Sequence, residues 1–240
     1  VKGNIEVMAN IKMNSPAKGI FGLLAISLAF SGLAQAEVVV IGDASFEAAV
    51  LSPANGSSSY CYSPNGCPGG HAAVTGTSAW TFTGGPPGGA GLVGNGSAFN
   101  NPLAVNGVQG VFLQDTGTIS QQLALNPGDL VQFTFFLAGR PTQDGANDVA
   151  VYLGTNLLQY YTASAIGTAG YNSYTTAPFT VTGTNETLSF NGIAITGDFT
   201  TFVDDVSGEV TPAPEPGTLG LLGTALVGLG LFSRRRGTQK

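Results

Sequence analysis

The sequence predicts an all-β fold, a jelly roll or β-sandwich, preceded by a signal peptide and followed by a single transmembrane helix. Three observations carry this reading. Apolar residues in the middle of the chain alternate with polar ones at the strand period of two. Glycine is 36 of 240 residues, and Gly, Pro, Asn and Thr gather between the alternating runs, where turns need them. Two longer apolar runs lie near the ends, and seven of the eight basic residues accompany those runs, outside residues 37–211. Charged residues are only 9%, against about 25% in ordinary globular domains. Hydrophobic residues are 43%, with 14 Phe and 7 Tyr, which excludes disorder throughout.

Residues 1–36 read as an upstream extension and a signal peptide. Lys18 precedes the 14-residue apolar core Ile20–Leu33, and Ala34-Gln35-Ala36 follows with the small side chains that signal peptidase requires. The expected start is Met13 and the expected cut falls after Ala36, leaving Glu37 as the new N-terminus. A membrane anchor would need a longer span.

The body, residues 37–211, supplies the strands in turn. Ala79–Gly85 reads as a strand, and so does Val108–Gln114. Ile119 and Leu123 flank Gln121 on a third. Asn126-Pro127-Gly128-Asp129 is a turn signal. Val131, Phe133, Phe135 and Leu137 then share one face of a clear strand, with Gln132 and Thr134 on the other. Val149, Val151 and Leu153 repeat the pattern, as do Phe179 with Val181, Leu188 with Phe190, and the run Phe202–Val206. At least eight such strands and no helical periodicity fit a sandwich and exclude parallel βαβ architecture.

Residues 212–240 form the last segment. Pro214-Glu215-Pro216 stands before the 15-residue apolar run Thr218–Phe232, and Arg234, Arg235 and Arg236 follow. The run is short for a span, but local thinning and snorkelling arginines close the gap. The arginines are expected on the cytoplasmic side, which places the body outside the cytoplasmic membrane.

These three parts, in this order, resemble the PEP-CTERM sorting signal. The resemblance implies an exosortase-type sorting enzyme as partner, besides signal peptidase. Pro214, Glu215 and Pro216 would be recognised and cut nearby, with Arg234, Arg235 and Arg236 completing the signal. It also implies a Gram-negative host that builds an extracellular polysaccharide matrix. The two prolines suit an extended, unpaired backbone at a protease cleft. The body in turn resembles a galactose-binding-domain-like jelly roll, through AWTFTGG (79–85), VFLQDTGTISQQL (111–123), FTFFLAGR (133–140) and FVDDV (202–206). Relatives of that fold often bind carbohydrate, and some hold a structural calcium. The stretch Cys61–Gly76 departs from it as an insertion.

Several residues are candidates for chemistry. Cys61 and Cys67 enclose a turn at Pro64-Asn65-Gly66 and are expected to form a disulfide in an exported protein. His71 completes C-x5-C-x3-H, but zinc needs reduced thiols and a fourth ligand. Asp204 shares strand parity with Phe202 and Val206 and so faces inward, where a carboxylate needs a partner. Loop backbone amides, Arg140, and a structural calcium shared with Glu47 are the alternatives. Arg140 is the one base of the body and opens a polar loop containing Asp144 and Asp148. Arg140 and Trp80 are candidate ligand-binding residues, because sugar sites pair an aromatic face with a few polar groups. Core packing is the competing role for Trp80.

The functional expectation is an exported surface or extracellular-matrix protein with a non-catalytic, carbohydrate-binding-like sandwich. It would be tethered to the cytoplasmic membrane in transit and then sorted. The alternatives are a purely structural matrix protein and an extracellular polysaccharide hydrolase. A lone His and the lack of a G-x-S-x-G elbow leave a serine triad without support. The body holds twelve acids and one base, a balance of −11, which excludes nucleic acid as partner.

Overall fold

The computed structural model describes residues 36–63, 67, 72–85, 88–194, 196–213, 220 and 223–229. Its elements, in chain order, are β1 (Glu37–Val38), β2 (Val50–Ser52), β3 (Tyr60–Tyr62), β4 (Ala73–Thr75), β5 (Thr81–Gly85), β6 (Gly88–Gly94), β7 (Gln109–Gln114), β8 (Thr118–Leu123), β9 (Leu130–Gly139), β10 (Val149–Leu153), β11 (Asn156–Tyr161), α1 (Ala163–Ile166), β12 (Asn172–Thr175), β13 (Phe179–Thr180), β14 (Glu186–Gly192) and β15 (Thr200–Thr211). The fold is all-β, and its strands pair antiparallel.

One half of the curled sheet runs β11-β10-β14-β8-β5, and the other runs β3-β6-β7-β15-β9-β12. The short β5–β6 pairing, Gly84↔Gly89 and Gly85↔Gly88, joins them along one flank. The two halves face each other across the main core, where Phe135 of β9 meets Phe190 of β14 edge-on at 4.8 Å. The alternation in β9 places Val131, Phe133, Phe135 and Leu137 in this core. This is the jelly-roll-like layering that the periodicity predicts.

The glycine-rich β6 has no alternation to read, yet it is central to the second half. A Cβ on Gly91 would lie 2.1 Å from the Cys61 carbonyl oxygen and 2.7 Å from the Phe112 ring. Glycine is therefore what lets β3 and Phe112 close on β6. α1 is one turn, capped by the Thr162 hydroxyl accepting from the Ala165 N–H.

The body from Gly32 to Glu215 is one compact unit, and the remaining residues form a second. In that second unit residues 223–229 are helical, with Leu226, Val227 and Leu229 exposed. They fall within the expected transmembrane helix 218–232, and no helix among the described residues is long and apolar enough to cross a membrane. The signal-peptide core, His71, the Pro214-Glu215-Pro216 tripeptide and Arg234–Arg236 lie outside the described residues.

Candidate binding face

The site is built on the outward face of β3-β6-β7-β15-β9-β12. Residues opposite one another in the ladders share a face, so the register lays this surface out. Tyr62 stands opposite Gly91, Gly91 opposite Phe112, Phe112 opposite Phe202, and Phe202 opposite Ala138. This half of the face is aromatic. Phe99 stacks on Phe112 at 4.6 Å, while Tyr62 meets Phe112 edge-on at 4.8 Å and Tyr60 meets Phe99 at 5.2 Å. Together with Val93 and Ala138 these rings form a second small core, separate from the main one.

Loop 95–108 covers that cluster, and two carboxylates hold the loop. Asp204 Oδ2 accepts from the Val105 N–H at 2.6 Å and the Asn106 N–H at 3.2 Å, and its Oδ1 accepts from the Asp205 N–H at 2.8 Å. Glu47 Oε1 accepts from the Val108 and Gln109 N–H groups at 2.8 and 2.9 Å. Loop backbone amides, one of the expected partners of Asp204, thus donate to its carboxylate. Glu47 and Asp204, the candidate calcium pair, clamp successive parts of one loop, and each is occupied by N–H donors. Among the described residues no group of three or more His, Cys, Asp or Glu side chains is arranged to hold a metal ion.

Burial pushes the Asp204 carboxyl up to about 6, with the Asp205 charge adding and the three amide bonds opposing. Burial also raises the Tyr171 hydroxyl well above its ordinary value, with the Asp204 charge contributing. The inward parity of Asp204 needs one correction. Phe202 and Asp204 do share a face, but it is the outer one, and Val206 belongs to the main core. The ladder to β9 shifts register between Asp204 and Ser207, where Asp205 adopts φ +48°, so parity changes across the bulge.

Arg140 ends this same face. Its Nη1 pairs with Asp198 Oδ1 at 2.7 Å, and its guanidinium lies 4.7 Å from the Phe99 centroid. The arginine side chain is 8% exposed and that of Asp198 34%. Gln114 donates to the same Asp198 oxygen and accepts from the Tyr62 hydroxyl, so a polar chain runs from Arg140 back to the aromatic cluster. Burial, then the Asp198 charge, pushes Tyr62 up to about 12. Burial and the Asp198 charge likewise raise the Asp115 carboxyl. Arg140 Nε and Asp115 Oδ1 are buried without a hydrogen-bond partner. Arg140 is therefore a structural ion at the edge of a small core. Trp80 takes the packing role: it is 1% exposed, lies against Phe46 and Phe190, and donates Nε1–H to the Asp43 carbonyl. Cys61 and Cys67 are joined in a disulfide, with Cα atoms 5.0 Å apart.

The other half of the face is polar and open. Gln132, Thr134, Thr175, Ser207 and Glu209 surround a groove of about 270 Å³ with Gly208 in its lining. Thr134 and Thr175 share a hydroxyl hydrogen bond at 3.0 Å, and Ser207 donates to the Thr134 carbonyl at 3.2 Å. Half-buried Phe136 is the next outward residue of β9, opposite Ser173 of β12 and Asp204 of β15. A shallow groove of hydroxyl and amide groups beside a ring can hydrogen-bond a sugar and pack on its apolar side. The outward alternation of β9 points to Gln132 and Thr134. The Thr175, Ser207 and Asp198 contributions have no local sequence signal, because pairing across β12 and β15 creates them.

The comparisons with known proteins agree with the C-terminal reading. The PEP-CTERM protein-sorting motif matches residues 212–236, so the chain carries this signal, which implies an exosortase-type processing partner. No curated protein matches the chain. Among solved structures, the K3 cleaved adhesin domain of Lys-gingipain from Porphyromonas gingivalis W83 is 12% identical, with TM-score 0.42, covering 73% of this chain and 99% of its own. The CBM22-1 xylan-binding domain of Paenibacillus barcinonensis Xyn10C is 12% identical, with TM-score 0.39, covering 57% and 88%. TmCBM61, solved in complex with β-1,4-galactotriose, is 18% identical, with TM-score 0.35, covering 54% and 86%.

Proposed function

We propose that this chain is an exported surface or matrix protein of a Gram-negative bacterium. Its non-catalytic β-sandwich binds extracellular polysaccharide, and an exosortase-type enzyme sorts it. The carrying observation is the sorting motif at 212–236, which begins at the residue after β15 ends. The signal peptide, cut after Ala36, and the membrane helix over 218–232 belong to this reading, and the helical residues 223–229 support the latter.

The polysaccharide contact is assigned to the groove of Gln132, Thr134, Thr175, Ser207 and Glu209, with Phe136 at its end. This replaces Arg140 and Trp80, whose burial takes them out of reach of a polymer. The Glu209 carboxylate and the acidic body favour a neutral glycan over an anionic one.

Affinity electrophoresis through gels containing the host's matrix polysaccharide tests the contact. Wild type is retarded, and Thr134→Arg, which fills the groove, is not. A wild-type mobility that the polysaccharide does not change removes the binding role and leaves the purely structural matrix protein. Release of reducing sugar would instead revive the hydrolase.

A further inference from the structure

The last residues of the body are held more firmly than a chain leaving a domain requires. Along β15, Val210 stands opposite Val131 of β9 and Thr211 opposite Leu130. On the other side, β1 pairs Glu37 with Val210 and Val38 with Glu209. The Val39 N–H continues this ladder to the Gly208 carbonyl at 2.9 Å. Residues 208–210 of the stem are therefore an inner strand segment with both edges occupied. One step further, the Ala213 N–H donates to Asp129 Oδ1 at 3.2 Å. Ala213 immediately precedes Pro214 of the sorting tripeptide.

A two-residue strand does not hold by its ladder alone. Val39 is its anchor: it is 5% exposed in the main core, while its neighbours Val38 and Val40 are 79% and 86% exposed. A Cβ on Gly208 would sit 3.0 Å from the Val39 Cβ and 2.9 Å from the Phe133 ring, so glycine makes the room in which Val39 seats. Further along, Gln121 grips Gly42 from both sides, accepting its N–H and donating to its carbonyl, each at 2.8 Å.

We propose that Glu37–Val39 is a latch on the C-terminal stem, which, together with the β9 pairing of Thr211 and the Asp129 bond to Ala213, closes residues 208–213 to the sorting enzyme and confines the sorting cut to the chain beyond Ala213. An enzyme that cuts a peptide captures it as an extended strand with a free edge. Residues 208–210 offer none unless the latch opens locally. In the cut, one peptide bond breaks. Its acyl carbon passes to the thiolate of a cysteine transpeptidase-type enzyme and then to water or an amine. The amide nitrogen leaves with a proton as the new amine of the C-terminal fragment. Val39 is a positioning residue in this scheme. The inference rests on the reading of residues 212–236 as a processed signal. It adds that the segment exposed next to the signal-peptidase cut guards the boundary of the second one.

The test is intact-mass analysis of the full chain expressed in strains with and without the exosortase-type enzyme. Wild type should give one enzyme-dependent C-terminus beyond Ala213. Val39→Ser and Gly208→Ala loosen the latch from opposite sides and should raise products ending within 208–213 by about tenfold, because cleavage follows the open population. Val39→Ile should restore the single terminus, and Val40→Ser, at an exposed site, should leave it unchanged. A wild-type terminus within 208–213 overturns the latch. So does an unchanged map in both loosened variants, each shown folded by its thermal melt. An uncut wild-type chain in both strains overturns the processing reading itself, and is recognised by its full C-terminal mass.

Discussion

Asp198→Asn should destabilise the body more than Arg140→Met, although both break one ion pair. The asymmetry follows from where the two partners sit. Arg140 is 8% exposed at its side chain and already carries an unpartnered Nε, whereas Asp198 is 34% exposed and also receives Gln114. Removing the carboxylate leaves a buried guanidinium uncompensated, at a cost of about 3–5 kcal/mol for a fully buried pair. Asp115, whose charge couples to Asp198, and Asp144, which accepts from the Asp198 N–H, remain beside the pair, so the lower end, about 3 kcal/mol, is expected. Removing the arginine forfeits a charged hydrogen bond of about 1.5–3 kcal/mol and a cation–π contact of about 0.5–1 kcal/mol. It also removes the unpartnered Nε, and water rehydrates the partly exposed Asp198, which discounts the pair. A net cost of about 1–2 kcal/mol remains. For a body of this size each kcal/mol moves Tm by about 2–4 °C, so the variants should differ by several degrees in a calorimetric melt of the purified protein at pH 7. The double variant should cost less than the two single costs added together. A larger loss in Arg140→Met than in Asp198→Asn, or additive costs, would mean that the buried guanidinium does not depend on Asp198.

Three further outcomes are expected. Asp204 has its carboxyl raised to about 6 from 3.8, so the folded state binds the proton more tightly than the unfolded one. The associated stability is present below about pH 4 and lost as pH rises through 6, by about 3 kcal/mol at 1.36 kcal/mol per unit. Asp204→Asn lacks this titration, so its stability relative to wild type should improve by that amount between pH 3.5 and pH 7, in melts run across the range; a constant difference would show that Asp204 does not titrate there. Gly91→Ala should cost about 3 kcal/mol or more, because its Cβ meets β3 backbone that cannot step aside, and a melt within one degree of wild type would contradict the packing of β6. EDTA should leave Tm unchanged, since N–H donors occupy Glu47 and Asp204; a fall in Tm that calcium reverses would restore them as ligands.

The sequence made the alternating strands legible and little of what they bring together. β8, β9, β10 and β14 lie where apolar residues recur at every second position, because one side of each is pressed into the main core, whereas β7 holds a continuous apolar run buried on both faces. β6 escaped, since Gly88, Gly89 and Gly91 carry no side chain to show a face; what they provide is room for Phe112 and the Cys61 backbone. Phe202, Asp204 and Val206 predict a single parity along β15, and the register shift after Asp204 reverses it. Cys61 and Cys67 could be paired from compartment and spacing because they are close in sequence. Asp198 could not be assigned to Arg140, because the two are 58 residues apart and meet only when β15 lies between β7 and β9. Trp80 shows the limit of composition: an aromatic residue in a predicted sugar-binding fold is as available to the core as to a ligand.

On the reading proposed above, the C-terminal motif sends this protein to the surface. Replacing Pro214-Glu215-Pro216 with three alanines, in a host with the exosortase-type enzyme, tests it most directly. Cell fractions are then compared by intact mass. Wild type should be found in the surface or matrix fraction with a shortened C-terminus. The variant should stay in the cytoplasmic membrane with Arg234–Arg236 still attached. Equal release and identical mass of the two proteins would contradict it.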